Sequence, residues 1–374
     1  MTARILHVSA VDFTADKLLR PQLEGLAAVG YRVRIACGRT EEVHWNQLAA
    51  FEPADIPFPR RLEPLAMIEA SRRLGSLIRD WRPDLLHLHT PAASLPVRSV
   101  PHPSWPNSVR TAYTVHGYLH QWPPHGLTER LVQKAERWGS RRTDLTLFQS
   151  NEDLSEAASR DYSGPLRFLG NGVEDFWFDV TPPRRKDRLS LLFVGRLVRE
   201  KGVLDLLQAV RGLPEVDLHI AGSALSTDRD GVTEEVHTIA NSADCEGRVF
   251  LHGMLSRAEL IELYEGCDVF CLPSYREGVP RSVIEGLAAA RPVVATNIRG
   301  CRELVTDGEN GYLVPTRRPD ALQRAVSKLI EMDEADFVAM CLASRSSVDP
   351  GGRESQVFSR LIDAYQELGL GPHH

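Results

Sequence analysis

Short apolar runs alternate with longer amphipathic segments along the chain. In the first half, short apolar runs predict strands at 4–9, 31–37, 84–89, 110–115 and 145–148. Helical spacing of the apolar positions predicts helices at about 18–29, 64–81, 127–141 and 151–160. An alternation of this kind indicates a parallel sheet wrapped by helices.

A break in the pattern divides the chain. Residues 181–188 combine two adjacent prolines with a cluster of charges, which predicts an interdomain linker. The alternation then restarts, with strands expected at 189–194, 216–220, 248–251, 269–272 and 293–296 and helices at about 202–212, 231–243, 256–266, 281–290 and 319–331. The predicted fold class is α/β, with two Rossmann-like, doubly wound domains at 1–180 and 189–350 that face each other across a cleft.

The last segment, 351–374, is expected to contain an amphipathic helix. Its apolar residues recur at helical spacing, at Val357, Phe358, Leu361, Ile362 and Tyr365. A helix with one apolar face must dock on another part of the protein.

Composition narrows the class of protein. The 374 residues are 43% hydrophobic and 25% charged, no apolar run approaches the length of a membrane span, and the first residues pass into a strand without the features of a signal peptide. The six cysteines include no CxxC pair, which favours buried thiols over disulfides or zinc ligands. These features predict a cytoplasmic protein.

The distribution of charge bears on partners. The net charge of −6 lies in the second half of the chain, so nucleic acid is not expected as a partner. A group of arginines around Trp81 indicates either a membrane-facing surface or a plain solvated helix face: Arg60, Arg61, Arg72, Arg73, Arg79 and Arg82.

The strongest chemical signal follows the predicted strand at 269–272. Glu277 is expected in a loop beside a helix N-terminus, and Glu285, eight positions later, about one turn inside the helix. Unpaired amides at such a helix start suit an anionic group such as a diphosphate. Two carboxylates beside a diphosphate site fit a nucleotide-sugar as the ligand.

A glycine and two cations follow the predicted strand at 189–194. Gly195 allows close approach of the backbone to a ligand, and Arg196 and Lys201 suit a departing diphosphate, although incidental cations in a solvated loop give the same pattern. The P-loop spacing is absent, and no Gly-x-Gly-x-x-Gly follows a strand, which argues against a nicotinamide-dependent dehydrogenase.

Polar residues also follow strands of the first domain. His116 is expected at a strand end facing the cleft, with a hydrogen-bonded structural histidine as the alternative. His87 and His89 share one strand face, but no third ligand at a recognisable spacing accompanies them, so no metal site is predicted. Asn171, followed by glycine, marks a turn that either lines the cleft or is only a turn.

Taken in order, these motifs resemble the retaining glycosyltransferases of family 4, which have the GT-B fold. The likeness rests on the stretches 193–202, 263–296 and 308–315 and extends over nearly the whole chain. It implies that the N-terminal domain binds the acceptor, that the C-terminal domain binds the nucleotide-sugar, and that the helix in 351–374 crosses back to the N-terminal domain.

The resemblance also implies roles for the site residues. Arg196 and Lys201 bind the donor diphosphate, Glu285 the ribose hydroxyls and Glu277 the donor sugar near its reacting carbon, while His116 contacts that sugar or orients the acceptor. No metal cofactor is expected, because the cations and helix N-termini supply positive charge. The other implied donor-binding residues are Gly195, Gly278, Val279, Pro280, Ser282 and Asn171.

The stretch 299–303 is similar to that of a bacterial subgroup that extends capsular, O-antigen or protein-linked glycans on polyprenyl diphosphate. This similarity implies transfer of a hexose or N-acetylhexosamine from a UDP-sugar at the inner face of the cytoplasmic membrane. Open alternatives are a soluble transferase for a small natural product or metabolite, a GT-B sugar-nucleotide epimerase and a non-catalytic sugar-nucleotide binder. The sequence also leaves open the sugar, the linkage, the oligomeric state and the choice between a covalent intermediate and front-side attack.

Overall fold

The computed structural model describes the chain except for residues 1, 41–42, 44, 60–62, 100–107, 118–126, 185, 187, 225–227, 229 and 372–374. The chain divides into two compact units. Unit 1 consists of Met1–Gly170 and Phe358–His374, and unit 2 of Asn171–Val357.

Unit 1 is built on a parallel sheet. Its strands are β1 (Arg4–Val11), β2 (Arg32–Gly38), β3 (Ala54–Asp55), β4 (Leu85–Leu88), β5 (Arg110–Val115), β6 (Leu145–Phe148) and β7 (Leu166–Phe168). Its helices are α1 (Asp12–Thr14), α2 (Arg20–Ala28), α3 (Pro64–Trp81), α4 (Pro91–Ser99), α5 (Leu127–Ser140) and α6 (Asn151–Ser159), with a π-helical segment at Ala15–Leu19 and a 3₁₀ segment at Trp45–Phe51. The strand order is β3-β2-β1-β4-β5-β6-β7.

The central strands of this sheet are buried on both faces. Every residue of β4 and β6 is buried, as expected for parallel strands covered by helices on both sides. The chain leaves β1 towards β2 on one side and returns to β4 on the other, so the direction of the crossovers reverses between β1 and β4. In open α/β sheets such a reversal opens a crevice at the carboxyl ends of the strands.

Unit 2 repeats this plan. Its strands are β8 (Leu189–Val194), β9 (Val216–Ala221), β10 (Val249–Gly253), β11 (Val269–Leu272), β12 (Val293–Thr296) and β13 (Gly311–Val314), in the order β10-β9-β8-β11-β12-β13. Its helices are α7 (Val203–Arg211), α8 (Thr233–Ala240), α9 (Arg257–Gly266), α10 (Arg281–Ala288), α11 (Cys301–Leu304), α12 (Pro319–Glu331) and α13 (Glu334–Val348), with 3₁₀ segments at Asp175–Asp179 and Arg199–Lys201. The reversal lies between β8 and β11, and the loops after these two strands carry most of the predicted site. The expected α/β class with two Rossmann-like domains is confirmed.

The division between the units differs from the predicted boundary at 180. The 3₁₀ segment at Asp175–Asp179 belongs to unit 2 because Trp177 and Phe178 are buried in the core of that unit. Trp177 packs edge-on against Tyr264 with ring centroids 4.8 Å apart. The last helix, α14 (Glu354–Glu367), is divided at Val357, and its part from Phe358 onward belongs to unit 1.

Several elements were not predicted from the sequence. α4 contains Pro96 in its interior, β3 has two residues, and β7 and β13 are short, so none shows a clear apolar period. α13 was also missed. The six cysteines are all buried and free, which confirms the prediction of buried thiols. Among the described residues, no helix combines the length and apolar character needed to cross a membrane.

Candidate active site

Glu277 and Lys201 form an ion pair in unit 2. β11 ends at Leu272 and α10 begins at Arg281, so the predicted strand, loop and helix around Glu277 are present. Lys201 Nζ lies 2.5 Å from Glu277 Oε1, and the Ser274 hydroxyl donates to the same oxygen at 2.7 Å. The sequence did not single out Ser274. One carboxylate oxygen therefore accepts hydrogen bonds from a cation and a hydroxyl.

Gly202 allows this ion pair to form. It has a φ of 69° and follows Lys201 directly, and a Cβ at this position would overlap the carbonyl oxygen of Pro273. A second contact joins the two loops, because the Tyr275 amide donates to the Glu200 carbonyl oxygen at 2.8 Å. The loop after β8 is thus held against the loop after β11 by backbone contact, which brings Lys201 to Glu277.

Arg196 has different partners from Lys201. Its guanidinium bonds to the carboxylate of Asp228 and lies 3.5 Å from Glu200 Oε1. Asp228 belongs to the segment after β9 and was not singled out from the sequence. The preceding residue, Gly195, lies at another close approach, because a Cβ at Gly222 would overlap the Gly195 carbonyl oxygen. Both predicted cations are therefore neutralised by carboxylates of the protein itself.

Glu285 lies in a different environment from Glu277. Its Oε2 is 3.5 Å from the Tyr264 hydroxyl, which is also 3.2 Å from the Ser282 carbonyl oxygen. Burial raises the pKa of Glu285 to about 7, with Arg281 lowering the pKa and Glu174 raising it. Glu174 itself is bridged to Arg281 at 3.0 Å. Near neutral pH this carboxyl is therefore close to half protonated.

The remaining predicted residues form the loop at 277–282 or contact it. The Asn171 side-chain amide donates to the Val279 carbonyl oxygen at 2.8 Å, so Asn171 supports this loop from within unit 2, whereas the sequence placed it at the end of the first domain. Gly300, with a φ of 76°, packs so closely that a Cβ there would overlap the Gly278 carbonyl oxygen.

α10 starts with an uncapped first turn. Its N-cap residue is Pro280, whose side chain has no oxygen to accept from the first-turn amides, and Arg281 and Ser282 follow as the first helical residues. Amides at a helix start are suited to an anionic ligand. The turn lies in the same loop and helix as Glu277, which the sequence predicted.

His116 lies in unit 1, directly after β5. Its Nδ1 is 3.0 Å from Gln149 Oε1, and its Nε2 is 3.3 Å from His89 Nδ1. Burial lowers the pKa of His116 to about 4, so the ring is neutral near pH 7. Both ring nitrogens are engaged within unit 1.

The structure brings a third histidine, His7, to His87 and His89, although no third ligand stands at a recognisable spacing in the sequence. β1 pairs with β4 and places His7 beside them, so that one nitrogen of each ring lies within 4.8 Å of the others. Among the described residues, these three have the spacing needed to hold a metal ion. The spacing in sequence gave no signal for His7, because it lies on another strand.

The chain matches two protein-family models. Residues 175–338 match the model described as glycosyl transferases group 1, and residues 21–175 match glycosyltransferase family 4. It is 26% identical over 352 residues to EpsD of Bacillus subtilis (strain 168), a glycosyltransferase by name, with 89% of each chain covered.

A second relative acts on a lipid-linked saccharide. Over 172 residues the chain is 35% identical to the N,N'-diacetylbacillosaminyl-diphospho-undecaprenol alpha-1,3-N-acetylgalactosaminyltransferase of Campylobacter jejuni, covering 45% of this chain and 41% of that relative. The match thus spans less than half of either protein.

Among solved structures, HepE of Anabaena in complex with UDP has a TM-score of 0.76 at 19% identity, with 98% of this chain and 100% of that chain covered. At this identity the likeness concerns the fold, which is GT-B in both.

Proposed function

The chain belongs to glycosyltransferase family 4, and from this premise we propose that it moves a hexose or N-acetylhexosamine from a UDP-sugar to a hydroxyl of a saccharide acceptor. Transfer proceeds with retention of the anomeric configuration. The acceptor is carried on a polyprenyl diphosphate, as in the Campylobacter jejuni relative. Unit 2 binds the donor, and unit 1 binds the acceptor, which His116 orients.

The observation that carries this proposal is the arrangement around Glu277. Lys201 and the uncapped start of α10 offer positive charge and free donors in the same loop and helix that present a carboxylate. A nucleotide-sugar has matching features: an anionic diphosphate that departs, and an anomeric carbon that becomes positive as it does so. Glu277 stabilises the developing oxocarbenium centre, and Lys201 and Arg196 stabilise the departing UDP.

The bonding of Glu277 favours front-side attack over a covalent intermediate. When the diphosphate takes Lys201, Glu277 Oε1 keeps the hydrogen bond from the Ser274 hydroxyl, which lowers the nucleophilicity of that oxygen. The bond between the anomeric carbon and the phosphate oxygen then breaks while the bond to the acceptor oxygen forms on the same face. The acceptor proton passes to the departing phosphate oxygen, so UDP leaves protonated at that position.

Donor binding requires an exchange of ion pairs. Arg196 is bonded to Asp228, and Lys201 to Glu277, so the diphosphate competes with protein carboxylates for both cations. Because these cations supply the charge that the leaving group needs, the proposal does not call for a divalent metal. We expect transfer to persist in EDTA.

A basic helix of unit 1 supports action at a membrane surface. On α3, Leu65 and Ile68 are 84% and 58% exposed, and Arg72 and Arg73, which both pair with Glu69, follow one turn later. Exposed apolar side chains beside cations suit an anionic lipid surface, where a polyprenyl-linked acceptor would be anchored. Arg60 and Arg61, from the same predicted group, lie outside the described residues.

The test is a transfer assay read by mass spectrometry. A panel of UDP-sugars is incubated with a polyprenyl-diphosphate-linked sugar, with small hydroxylated acceptors, and with no acceptor. We expect a product one sugar heavier with the lipid-linked acceptor. Products only on small molecules would point to a soluble transferase, and conversion of the donor alone would point to an epimerase. A donor that binds but never reacts would leave a sugar-nucleotide binder.

Variants test the roles of the cations. Lys201→Ala and Arg196→Ala should each lose about 2–4 kcal/mol of transition-state stabilisation, with kcat reduced more than donor affinity. Arg199→Ala is the matched control, because Arg199 lies in the same loop but pairs with Glu235 at 2.6 Å. Turnover within twofold of the wild-type protein in both test variants would exclude the leaving-group role.

A further inference from the structure

Four imidazoles lie together in unit 1, beside the reversal between β1 and β4. His7 on β1 is in register with His87 on β4, His89 lies two residues later on the same face of the sheet, and His116 follows β5. The first three side chains are fully buried, and His116 is half-buried. We call these four residues the histidine cluster.

Hydrogen bonds join three of these rings into a chain that ends at Gln149. His7 Nδ1 lies 2.9 Å from His89 Nε2, and His89 Nδ1 lies 3.3 Å from His116 Nε2. His116 Nδ1 then lies 3.0 Å from Gln149 Oε1. At the other end, His7 Nε2 is buried and has no hydrogen-bond partner.

The fourth ring belongs to a separate branch. His87 Nδ1 is 2.6 Å from the Tyr365 hydroxyl of α14, and its Nε2 is 2.7 Å from the Thr114 hydroxyl. His87 meets His89 only by ring packing, with centroids 4.2 Å apart. Because both nitrogens of His87 are engaged, a metal ion held by His7, His87 and His89 would have to break at least one of these hydrogen bonds.

The unpartnered nitrogen of His7 decides where the protons lie. A neutral imidazole donates from one nitrogen and accepts at the other, so fixing one ring fixes the whole chain. If Gln149 accepts from His116 Nδ1–H, then His89 Nδ1–H donates to His116 Nε2 and His7 Nδ1–H donates to His89 Nε2. His7 Nε2 then carries no proton. If the amide of Gln149 donates instead, all protons move to Nε2, and His7 carries a buried N–H without an acceptor.

The first arrangement is the more stable one. Gln149 Oε1, the atom that faces His116 Nδ1, can only accept a hydrogen bond, which requires the proton on Nδ1. Either arrangement leaves one buried atom of His7 unsatisfied, at a cost of about 1–3 kcal/mol, but among backbone groups orphaned N–H donors are rarer than under-satisfied acceptors. Burial also keeps these rings neutral. It lowers the pKa of His7 to about 3 and the pKa values of His87 and His89 to well below their ordinary value, and the neighbouring imidazoles lower the last two further.

We propose that His7 and His89 are positioning residues that hold His116 in one neutral form, in which Nδ1 is protonated and Nε2 accepts a hydrogen bond from His89. This inference rests on the proposed function only for its effect on transfer. With both ring nitrogens occupied, His116 has no polar atom left for the acceptor, so it orients the acceptor only by the shape of a fixed neutral ring and does not take the acceptor proton. The proton is left to pass to the departing phosphate.

The protonation pattern is tested by ¹⁵N NMR of histidine-labelled protein, which distinguishes protonated from bare ring nitrogens and needs no turnover. Between pH 6 and 8 we expect Nδ1–H forms at His7, His89 and His116, and no titration of these rings. A proton on Nε2 of His116, or titration of His116 near its ordinary pKa, would overturn the proposal. So would tight Zn²⁺ binding by the dialysed protein that removes the His7 and His89 signals.

Two changes at Gln149 test the fixed end without disturbing the core. Gln149→Glu keeps an accepting oxygen and should preserve the Nδ1–H form while raising the pKa of His116. Gln149→Leu removes the acceptor, and His116 should lose its single form. Identical spectra for the two variants would show that Gln149 does not set the direction of the chain.

The effect on transfer is measured with His89→Leu. We expect kcat to fall by about tenfold, because a misoriented group near the reacting atoms costs rate, with the donor KM within twofold. Thr114→Val is the matched control: it is isosteric and breaks the His87 branch, and it should leave the His116 spectrum and kcat unchanged. If His89→Leu does not fold, Gln149→Leu carries the same kinetic test. Unchanged kcat alongside a lost Nδ1–H signal would refute the positioning role while leaving the proposed function intact.

Discussion

The raised pKa of Glu285 predicts that donor affinity depends on pH. If Glu285 binds the two ribose hydroxyls by accepting a hydrogen bond at each carboxylate oxygen, it must be ionised, because a protonated carboxyl uses one oxygen as a donor. Burial raises its pKa in the free protein to about 7, so at lower pH the donor has to displace a proton before it binds. In the free protein, Glu285 is therefore mainly protonated below pH 7 and mainly ionised above it.

The magnitude follows from this single titration. The apparent affinity for the donor is proportional to the ionised fraction of Glu285. With a pKa of about 7, this makes binding about tenfold weaker at pH 6 than at pH 8.5, or about 1.4 kcal/mol. At pH 7 about half of the molecules carry the proton, so binding should release about half a proton per donor bound.

Calorimetry measures both quantities. A UDP-sugar is the better ligand than UDP, because its diphosphate has no group that titrates in this range. Titrations at pH 6, 7 and 8.5 give the affinities, and buffers of different ionisation enthalpy give the proton release. Glu285→Gln should bind more weakly with no dependence on pH, whereas Glu277→Gln should keep the dependence and lose mainly turnover. Affinities within twofold across this range, or a slope that survives in Glu285→Gln, would show that Glu285 does not bind the ribose as a carboxylate.

Three further predictions concern other parts of the molecule. Asp228→Asn should tighten UDP binding by about fivefold, since a competing ion pair to Arg196 worth about 1 kcal/mol is removed; weaker binding by calorimetry would contradict this. Gly300→Ala should lose at least about 2 kcal/mol of stability in urea denaturation, because of its positive φ and its overlap with a backbone carbonyl, whereas Gly308→Ala, also at positive φ but with nothing near its Cβ, should lose less. Protonation of His7 in the unfolded state should reduce the free energy of unfolding by about 2 kcal/mol between pH 7 and 5, because burial lowers its folded pKa to about 3: stability is full above the unfolded pKa of 6.5 and is lost as the pH falls. His87 and His89, whose pKa values burial also lowers, should act in the same direction. Chemical denaturation at both pH values measures this loss, and no change in stability would contradict buried neutral rings.

The sequence was sufficient for the parts of the site that are local in the chain. The run at Val269–Leu272, the loop glycine and proline, and the apolar period from Arg281 onward each favour the element that forms, so the position of Glu277 beside a helix start is predicted from neighbouring residues alone. The same is true of the loop after β8. Elements whose apolar period is weak or interrupted, such as α4 with its internal Pro96, were missed for the same reason.

The partners of the charged residues were not predictable in this way. Lys201 reaches Glu277 because Gly202 lets one loop pass close to Pro273, and that approach depends on how β8 and β11 pair. Arg196 binds Asp228, a residue 32 positions later whose own stretch shows no chemical pattern. A sequence shows which charges exist, but the register of the sheet decides which of them neutralise each other.

The histidine cluster depends on register in the same way, with a larger consequence for chemistry. A shift of one residue between β1 and β4 would turn His7 to the opposite face of the sheet. The series of hydrogen bonds that leads to His116 would then lose its buried first ring. From the sequence alone, His116 could be a base or a contact to the sugar, because the sequence does not show which residues lie beside a histidine at a strand end. With His89 and Gln149 on its two nitrogens, it is a neutral group with one orientation. The chemical character of His116 therefore depends on residues 27 and 33 positions away in the chain, and not on its own position in the sequence.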